Sequence, residues 1–339
     1  MRERREGVSR RQLMRGLTVA GAAGVLRLPT RAIAAEAPLE TTKLTLHHSA
    51  SLCQAPLYVA EELLRSEGFT EVKYMALEES GGFYKALGSG TVDIGNDFAT
   101  VALTELDQGT PIVILGGLHV GCFQLIGSDR IRAVRDLKGK MVAVRGLGSP
   151  PHLFLASMLA YVGLNPRTDI TWMTLPSADA IQHLADGKVD ALMGFPPEPQ
   201  ELRARKIGHV VVDSSRDRPW SQYFCCMSIA NREFVRKHPV ATKRALRAFM
   251  KASDICASQP DRAARTLVAK GLTKRADYAL QTMTDVPYDK WRQYDPEDTM
   301  RFYALRLHET GMIKNAPKKL IAQGADWRFF KELKQELKG

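Results

Sequence analysis

The residues best suited to chemistry lie in the segment MVAVRGLGSPPHLFLASML, residues 141–159. An apolar run is followed by Gly146 and Gly148, then by two prolines and a periodic apolar stretch. This order predicts a strand, a glycine turn and a helix. Glycines let a ligand approach the backbone without a Cβ in the way, and Ser149 is placed to cap the helix. We expect the unpaired N–H groups and positive potential of the helix start to hold a carboxylate, sulfonate or other acceptor.

Arg145 and His152 flank this turn, which differs from the common phosphate-binding loops. Pro151 occupies the last glycine position of a dinucleotide-binding G-x-G-x-x-G motif, and the Lys-Ser/Thr pair of a P-loop is missing. The sequence also contains no G-x-S-x-G nucleophile elbow and no H-E-x-x-H metal motif. For the turn taken alone, an ordinary capped helix start that binds nothing remains the alternative.

Polar and aromatic residues follow the other predicted strands as well. In open α/β sheets, ligands bind outside the carboxyl ends of the strands, so these segments are expected to share one region. They lack the paired acid and base groups of a catalyst, which favours a binding cleft over an active site. The segments are SASLCQ (49–54), NDF (96–98), HVGCF (119–123), RGLGSPPH (145–152) and FPPEP (195–199).

The elements that carry these segments alternate between strand and helix, which predicts an α/β fold with parallel sheets. The pattern runs twice, on either side of a polar connector at 127–140. KALGSGTVDIGND in the first half resembles QHLADGKVDALMGF in the second, since each is a short helix, a glycine and a strand that begins Val-Asp. We therefore predict two α/β lobes of similar plan. Residues 196–208 are predicted to be a loop, and the chain is predicted to be helical from about 231.

The amino terminus has the layout of an export signal. In the first 34 residues, eight arginines outweigh two glutamates, and an apolar stretch leads to small-residue cleavage sites near Ala34 or Ala37. The segment SRRQLMR resembles a twin-arginine signal, which directs folded proteins across a membrane. No second apolar run is long enough to be a membrane helix. We therefore expect a soluble protein in the periplasm.

The chain has 339 residues and a net charge of +11, more than half of which falls in this leader. The rest of the sequence is that of a mildly basic globular protein, without the interleaved basic and aromatic residues of many nucleic-acid binders. A basic stripe from 232 to 251 has helical spacing, which is typical of a solvated helix face. No nucleic-acid partner is expected.

The five cysteines are scattered, at positions 53, 122, 225, 226 and 256. Their odd number, and the absence of C-x-x-C or zinc-type spacing, predict neither a disulfide framework nor a metal site. Cys225 and Cys226 fall in a predicted strand, so their side chains would point to opposite faces and are interpreted as small buried hydrophobic groups. His47 and His48 are interpreted as structural, and no cofactor is expected.

In their order and spacing, several segments resemble the periplasmic substrate-binding proteins of nitrate/sulfonate/taurine-type ABC transporters. The same superfamily includes the fungal thiamine-pyrimidine synthases. The matching segments cover roughly residues 43 to 255. They are APLYVAEE, KALGSGTVDIGND, GTPIVILGGL, DLKGKMVAVRGLGSPPHLFLASMLAYVGLNP, DAIQHLADGKVDALMGFPPEP and ANREFVRKHPVATKRALRAFMKA.

The resemblance implies the type II periplasmic-binding-protein fold. This fold has two lobes, each a mostly parallel sheet flanked by helices, and two crossover strands that act as a hinge. Lobe 1 would comprise 40–125 with 226–339, and lobe 2 would comprise 126–225, with crossovers near Cys122–Ile126 and Tyr223–Ser228. A monomer would close on its small-molecule ligand by population shift and present it to an ABC permease in the inner membrane.

The resemblance also implies where the ligand contacts lie. Ser149 and the backbone after Gly148 would meet the anionic or acceptor end of the ligand. Asp97 and Glu198 would add acidic groups, which suit a ligand with donor groups better than a dianion such as sulfate. The implied contacts are Ser49, Cys53, Gln54, Asp97, Phe98, His119, Gly148, Ser149, His152, Phe195, Glu198 and Tyr223.

Two alternatives stay open at this point. A synthase-like enzyme would consume a cofactor such as pyridoxal phosphate and use a cysteine cluster, of which YFCCMS (223–228) is only a fragment. The chain is therefore not expected to be an enzyme. A periplasmic sensor subunit would hand its ligand to a membrane receptor instead of a transporter, and its sequence features would be the same.

Overall fold

The structure is a computed structural model that describes residues 36–77 and 82–338. The export signal predicted for residues 1–34 lies outside the described residues. From Leu39 onwards the chain forms one compact unit. Within the described ranges, no helix is long and apolar enough to cross a membrane.

The first half of the chain supplies four strands, and a fifth returns to them from later in the sequence. Their bounds are β1 Lys43–His47, β2 Glu71–Met75, β3 Ile94–Phe98, β4 Ile112–Val120 and β10 Phe224–Asn231. β1 and β2 pair in parallel. β10 lies between β3 and β4 and runs antiparallel to both. Every residue of β4 and β10 is buried, as expected for strands that are covered on both faces.

The second half forms a five-stranded sheet in the order β7-β6-β8-β5-β9. Its strands are β5 Gln124–Gly127, β6 Lys140–Val144, β7 Ile170–Thr174, β8 Ala191–Gly194 and β9 His209–Asp213. β6 pairs in parallel with β7 and β8, whereas β5 is antiparallel to β8 and β9. This arrangement confirms the two-lobe α/β architecture. The expectation of mostly parallel sheets is met only in part: the pair β1-β2 is parallel, β3-β10-β4 is antiparallel and the five-stranded sheet is mixed. The antiparallel strands β10 and β5 each reach their sheet directly from the other half of the chain.

Helices cover both halves and fill the remainder of the chain. The first seven are α1 Pro56–Val59, α2 Glu61–Ser66, α3 Gly82–Ser89, α4 Ala99–Asp107, α5 Pro150–Tyr161, α6 Ser177–Ala185 and α7 Glu198–Arg205. The others are α8 Arg232–Lys237, α9 Pro239–Ser258, α10 Pro260–Ala269, α11 Ala276–Asp285, α12 Pro296–Glu309, α13 Pro317–Gly324 and α14 Arg328–Glu336. The loop predicted for 196–208 is wrong, because α7 occupies most of it. The prolines there lie before the helix or in its first turn, where proline is tolerated.

The repeated Val-Asp sequence has the same structural role in each half. The backbone N–H of Asp93 donates to Thr45 in β1, and the Asp93 carboxylate accepts from the Thr45 N–H at 2.7 Å. In the second half, the N–H of Asp190 donates to Met141 in β6, and the Asp190 carboxylate accepts from the Met141 N–H at 3.0 Å. An aspartate therefore ties two neighbouring strands together in both halves.

Two chain segments connect the halves, 121–123 between β4 and β5, and 214–223 between β9 and β10. They meet at Gly121, where a Cβ would collide with the backbone of Ser214 and Ser215 and where φ is +48°. The buried Ser214 hydroxyl accepts from the N–H of Cys122 at 3.1 Å and that of Phe123 at 2.9 Å, and donates to the Phe123 carbonyl at 2.8 Å. One serine thus bonds the two connections to each other.

Candidate functional site

The glycine turn has the predicted place between β6 and α5, but its hydrogen bonds differ from the expectation. Ser149 occupies the position before the helix, yet its hydroxyl donates to the Gly146 carbonyl at 2.6 Å and does not cap the helix. The first two helical residues are prolines, which have no N–H. Among residues 149–152, the Ser149 N–H is bonded to Gly146, so only the N–H of His152 remains for a ligand. The expected cradle of several backbone donors is therefore reduced to one.

His152 stabilises the turn from the first turn of α5. Its Nδ1 accepts from the N–H of Gly148 at 3.0 Å, and its ring packs edge-on against Trp172 with centroids 4.7 Å apart. Gly148 adopts a φ of +82°, a conformation that favours glycine. Burial lowers the pKa of His152 to about 4, so the ring is neutral and keeps its acceptor at neutral pH.

Arg145 and Glu198 form the charged part of the second half. Nε and Nη2 of Arg145 donate to the same Glu198 oxygen at 2.9 and 2.8 Å, and the guanidinium lies 4.5 Å from the Phe195 ring centre. The Ser177 hydroxyl also donates to Glu198, and the Phe195 N–H donates at 3.1 Å to its other oxygen. The buried carboxylate of Glu198 therefore has partners within the chain and orients Arg145, which is 40% exposed.

Phe98 and Phe195 bring the two halves into direct contact. Phe98 ends β3 and Phe195 follows β8, and their ring centres are 5.0 Å apart. Phe123, in the first connection between the halves, lies 5.0 Å from Phe98 and 5.6 Å from Phe195. The predicted meeting of strand ends from both halves is thus present as a buried aromatic cluster.

Asp97 lies beside this cluster on the first half. Burial raises the pKa of its carboxyl to about 7. At neutral pH the group is therefore divided between a carboxylate, which only accepts hydrogen bonds, and a carboxylic acid, which also donates.

Four buried side chains converge next to Phe98, in a group that we call the thiol–imidazole cluster: Cys53, His119, Cys122 and Cys226. Cys226 lies in β10 and pairs across the sheet with both Phe98 of β3 and His119 of β4. Cys122 belongs to the first connection, and Cys53 follows β1. The three sulfurs and a His119 ring nitrogen all lie within 4.8 Å of one another. Spacing along the sequence gives no indication of this arrangement, because the four residues come from separate elements.

The other predicted contacts have different surroundings. Ser49 is bonded through its backbone to the Tyr58 hydroxyl, with its N–H at 2.6 Å. Gln54 is buried, and its Oε1 has no hydrogen-bond partner among the described residues. Tyr223 stacks on Phe302 of α12 with ring centres 4.0 Å apart, on the helical side of the second connection.

Helix α7 is bonded to the C-terminal helical part of the chain. Arg203 forms an ion pair with Asp285 at the end of α11 and donates to Gln124 of β5 at 3.3 Å. Gln200 also donates to Asp285, at 3.3 Å. These polar contacts lie outside the aromatic cluster.

A model of the NMT1-like family matches residues 37–273, which is most of the chain. The chain belongs to the NMT1-like family. The taurine-binding periplasmic protein of Escherichia coli is 27% identical to this NMT1-like chain over 224 residues, which are 65% of the chain and 67% of that protein. The 4-amino-5-hydroxymethyl-2-methylpyrimidine phosphate synthase THI5 of Saccharomyces cerevisiae is 24% identical over 221 residues, 61% of the chain and 62% of the synthase.

Among solved structures, the periplasmic nitrate-binding protein NrtA of Synechocystis PCC 6803 superposes with a TM-score of 0.71. The alignment covers 89% of this NMT1-like chain and 90% of NrtA, at 16% identity. This similarity confirms the two-lobe binding-protein fold. The proteins similar to this chain include both binding proteins and a synthase, so similarity alone does not separate the two activities.

Sequence reasoning placed Arg145 only at the edge of the turn and did not include Cys122 or Cys226 among the site residues. Arg145 directly follows β6, at the carboxyl end of a strand, and that position was a usable signal. No comparable signal marks the cysteines, because their proximity depends on how β10 returns between β3 and β4.

Proposed function

We propose that the chain is the solute-binding component of an ABC importer, which clamps a small polar or anionic organic ligand between its two halves. The observation that carries this proposal is the meeting of Phe98 and Phe195, at the ends of strands from opposite halves, with Arg145 directly over Phe195. An apolar contact between the halves is thus surrounded by a few polar groups. Small-molecule sites usually combine an apolar lining with a few polar groups in this way.

The charged groups define the chemistry of this ligand. The Nη1 of Arg145 is the nitrogen that is not directed at Glu198 and would donate to an anionic or acceptor end. The N–H of His152 adds one backbone donor, and Leu147 in the same turn is 66% exposed and offers an apolar surface. Asp97 would contact the opposite end of the ligand from the first half. A dianion such as sulfate fits poorly, because it would lie between one guanidinium and a partly charged carboxylate.

The remaining parts of the proposal follow from the sequence and the similar proteins. A leader of twin-arginine type in residues 1–34 would export the folded chain to the periplasm. Lobe 1 would comprise 40–125 with 226–339, and lobe 2 would comprise 126–225. The closed monomer would dock on an inner-membrane permease. The periplasmic names of similar proteins support this location.

The test is a thermal-shift screen of residues 35–339 against sulfonates, nitrate, amino acids, pyrimidines and aromatic carboxylates. A ligand at 100 times its Kd stabilises the folded state by about 2.7 kcal/mol, which raises Tm by a few degrees. We expect a hit from a compound with a single negative charge. Arg145→Gln should weaken its affinity at least about tenfold by calorimetric titration, and Asp97→Ala should also weaken it.

Arg135→Gln is the matched control, because Arg135 is an exposed arginine that precedes the start of β6, whereas the turn follows the end of that strand. It should leave the affinity unchanged. Equal loss in both arginine variants, or no hit in any compound class, would contradict the proposed site.

The similarity to THI5 makes a synthase-like enzyme the competing function. Addition of pyridoxal phosphate to the same protein distinguishes the two. A shifted imine absorbance that disappears when one lysine is replaced would favour the enzyme, whereas the binding proposal expects the spectrum of free pyridoxal phosphate.

A further inference from the structure

The geometry points to a metal site in the thiol–imidazole cluster: we propose that Cys53, His119, Cys122 and Cys226 bind one thiophilic divalent cation of the zinc class. The proposed function assigns no role to a metal, and the sequence spacing gave no indication of one. The ion would be resident in the protein and would not be the transported ligand.

The distances within the cluster fit tetrahedral coordination. A zinc ion with bonds of about 2.3 Å to sulfur and 2.0 Å to nitrogen holds its ligand atoms about 3.5–3.8 Å apart. The four ligand atoms already lie within 4.8 Å of one another. Shifts of less than about 1 Å in the ligand atoms would therefore bring them to zinc-binding distances. Three thiolates with one imidazole are a common ligand set for zinc.

The orientation of His119 is an independent observation in favour of a metal. Its Nδ1 lies 3.3 Å from the Val120 carbonyl, so Nδ1 is placed to donate and Nε2 is placed to present a lone pair. Nε2 is fully buried and has no hydrogen-bond partner among the described residues. Metal-bound histidines usually donate their second ring N–H to a carboxylate, a backbone carbonyl or water. A buried nitrogen without a partner costs stability, and a cation would remove that cost.

The surroundings indicate a structural site and not a catalytic one. Cys53, His119 and Cys226 have no exposed surface, and Cys122 is 5% exposed. Four protein ligands leave no open coordination position for water or substrate. The ligands come from the segment after β1, the end of β4, the first connection between the halves, and β10. The ion would therefore hold the first connection and β10 against β4 and the segment after β1.

Cys225 supplies the competing explanation for these cysteines. Its sulfur lies 2.8 Å from that of Cys122, a distance that also suits oxidation to a disulfide between the first connection and β10. A disulfide would remove Cys122 from the metal site and leave fewer ligands. The two arrangements therefore exclude each other, and one experiment separates them.

The experiment begins with the full chain purified without chelators. Elemental analysis by mass spectrometry should find about one zinc per chain. After the metal is removed under reducing conditions, titration with Co²⁺ should produce thiolate-to-cobalt charge transfer and the strong ligand-field bands of tetrahedral coordination. X-ray absorption on the zinc-loaded wild-type protein should show sulfur and nitrogen neighbours at about 2.3 and 2.0 Å.

Variants identify the ligands. Cys226→Ser and His119→Gln should each weaken Co²⁺ binding more than about tenfold. Cys256→Ser is the matched control, because Cys256 is also a buried free cysteine but lies in α9, outside the cluster. Cys225→Ser tests the neighbour that is not a proposed ligand. Both should bind Co²⁺ as the wild type does.

Three results would overturn the proposal. The first is an oxygen-only shell in the X-ray absorption spectrum, or no Co²⁺ spectrum from the reduced wild-type protein; this result does not depend on any variant folding. The second is a metal-free chain whose intact mass before reduction is lower by two hydrogen atoms, with Cys122 and Cys225 joined in one peptide pair. The third is equal loss of Co²⁺ binding in Cys225→Ser and Cys226→Ser. None of these results depends on the transported ligand or on its identification.

Discussion

Phe98 and Phe195 end equivalent strands of the two halves, yet the residues around them differ in kind. Both follow a Val-Asp strand whose aspartate is tied to a neighbouring strand. Around Phe98 lie Asp97 and the buried thiol–imidazole cluster, whereas Phe195 lies beneath Arg145, which is partly exposed. The repeated plan positions the strand ends, and the side chains beyond the ends give each half its own chemistry.

This difference separates two kinds of site. The second half places Arg145 and the glycine turn at its surface, where Phe195 and Glu198 from later in the chain orient the arginine. The first half draws together residues from widely separated elements and buries them. The exposed site of the second half can exchange a ligand with solvent. The buried cluster of the first half could retain an ion but offers it no path of exchange.

The largest effect is expected where the halves meet. Gly121→Ala should lower the free energy of unfolding by more than about 3 kcal/mol, because the new Cβ would meet the backbone of Ser214 and Ser215 in a left-handed conformation. Gly163→Ala is the control, with a φ of +82° but open space around it, and should cost about 1 kcal/mol. Urea denaturation of both variants measures the difference. Similar losses would mean that the close approach at Gly121 is unimportant.

Each half also contains one buried histidine whose pKa is lowered to about 4, His47 in the first half and His152 in the second. The unfolded chain takes up a proton near pH 6.5, so this stabilisation is present above pH 6.5 and is lost as the pH falls towards 4. His152→Gln retains an acceptor for the Gly148 N–H but cannot titrate. Between pH 6.5 and pH 4, the free energy of unfolding of this variant should therefore fall by up to about 3 kcal/mol less than that of the wild type.

Urea denaturation of the wild type and His152→Gln at several pH values provides the measurement. His47 remains in the variant, so part of the pH dependence should persist. Parallel curves for the two proteins would show that His152 is already solvated in the folded state.

Ser214→Ala should destabilise the chain by about 2 kcal/mol, because the N–H groups of Cys122 and Phe123 would lose their buried acceptor. Ser157→Ala is a suitable control, since this buried hydroxyl only donates to the Phe154 carbonyl within α5. Ser157→Ala should destabilise the chain by less than about 1 kcal/mol. Thermal unfolding compares the two, and a smaller effect at Ser214 would argue against a bonded joint.

The smallest effect concerns the contact between the halves themselves. Phe98→Leu and Phe195→Leu should each lower the free energy of unfolding, and the double variant should lose less than the sum of the two losses. A double-mutant cycle should give a coupling of about 1 kcal/mol. Phe98→Leu with Phe234→Leu, which lies beyond the other end of β10, should be additive within about 0.5 kcal/mol. An additive Phe98–Phe195 pair would mean that the halves are apart in solution.

Local patterns in the sequence predicted the alternating elements, the repeat and the glycine turn, because hydrophobic period and glycine position are short-range properties. The donors at the helix start were overestimated, since Pro150 and Pro151 provide no N–H. Helix α7 was missed because prolines near 196–199 were interpreted as a loop. The thiol–imidazole cluster could not be predicted, because nothing local to Cys53 indicates that β10 will place Cys226 beside it.

The ion pair between Arg203 and Asp285 has a consequence for the rate of delivery. In the proposed importer, this pair would join α7 to α11 without any ligand, and as a partly exposed ion pair it would stabilise that arrangement by up to about 1 kcal/mol. The fraction of empty molecules already in the binding-competent form would rise accordingly, which would lower the apparent Kd. Release of the ligand would require the pair to separate, so the pair would favour capture at low concentration over rapid turnover.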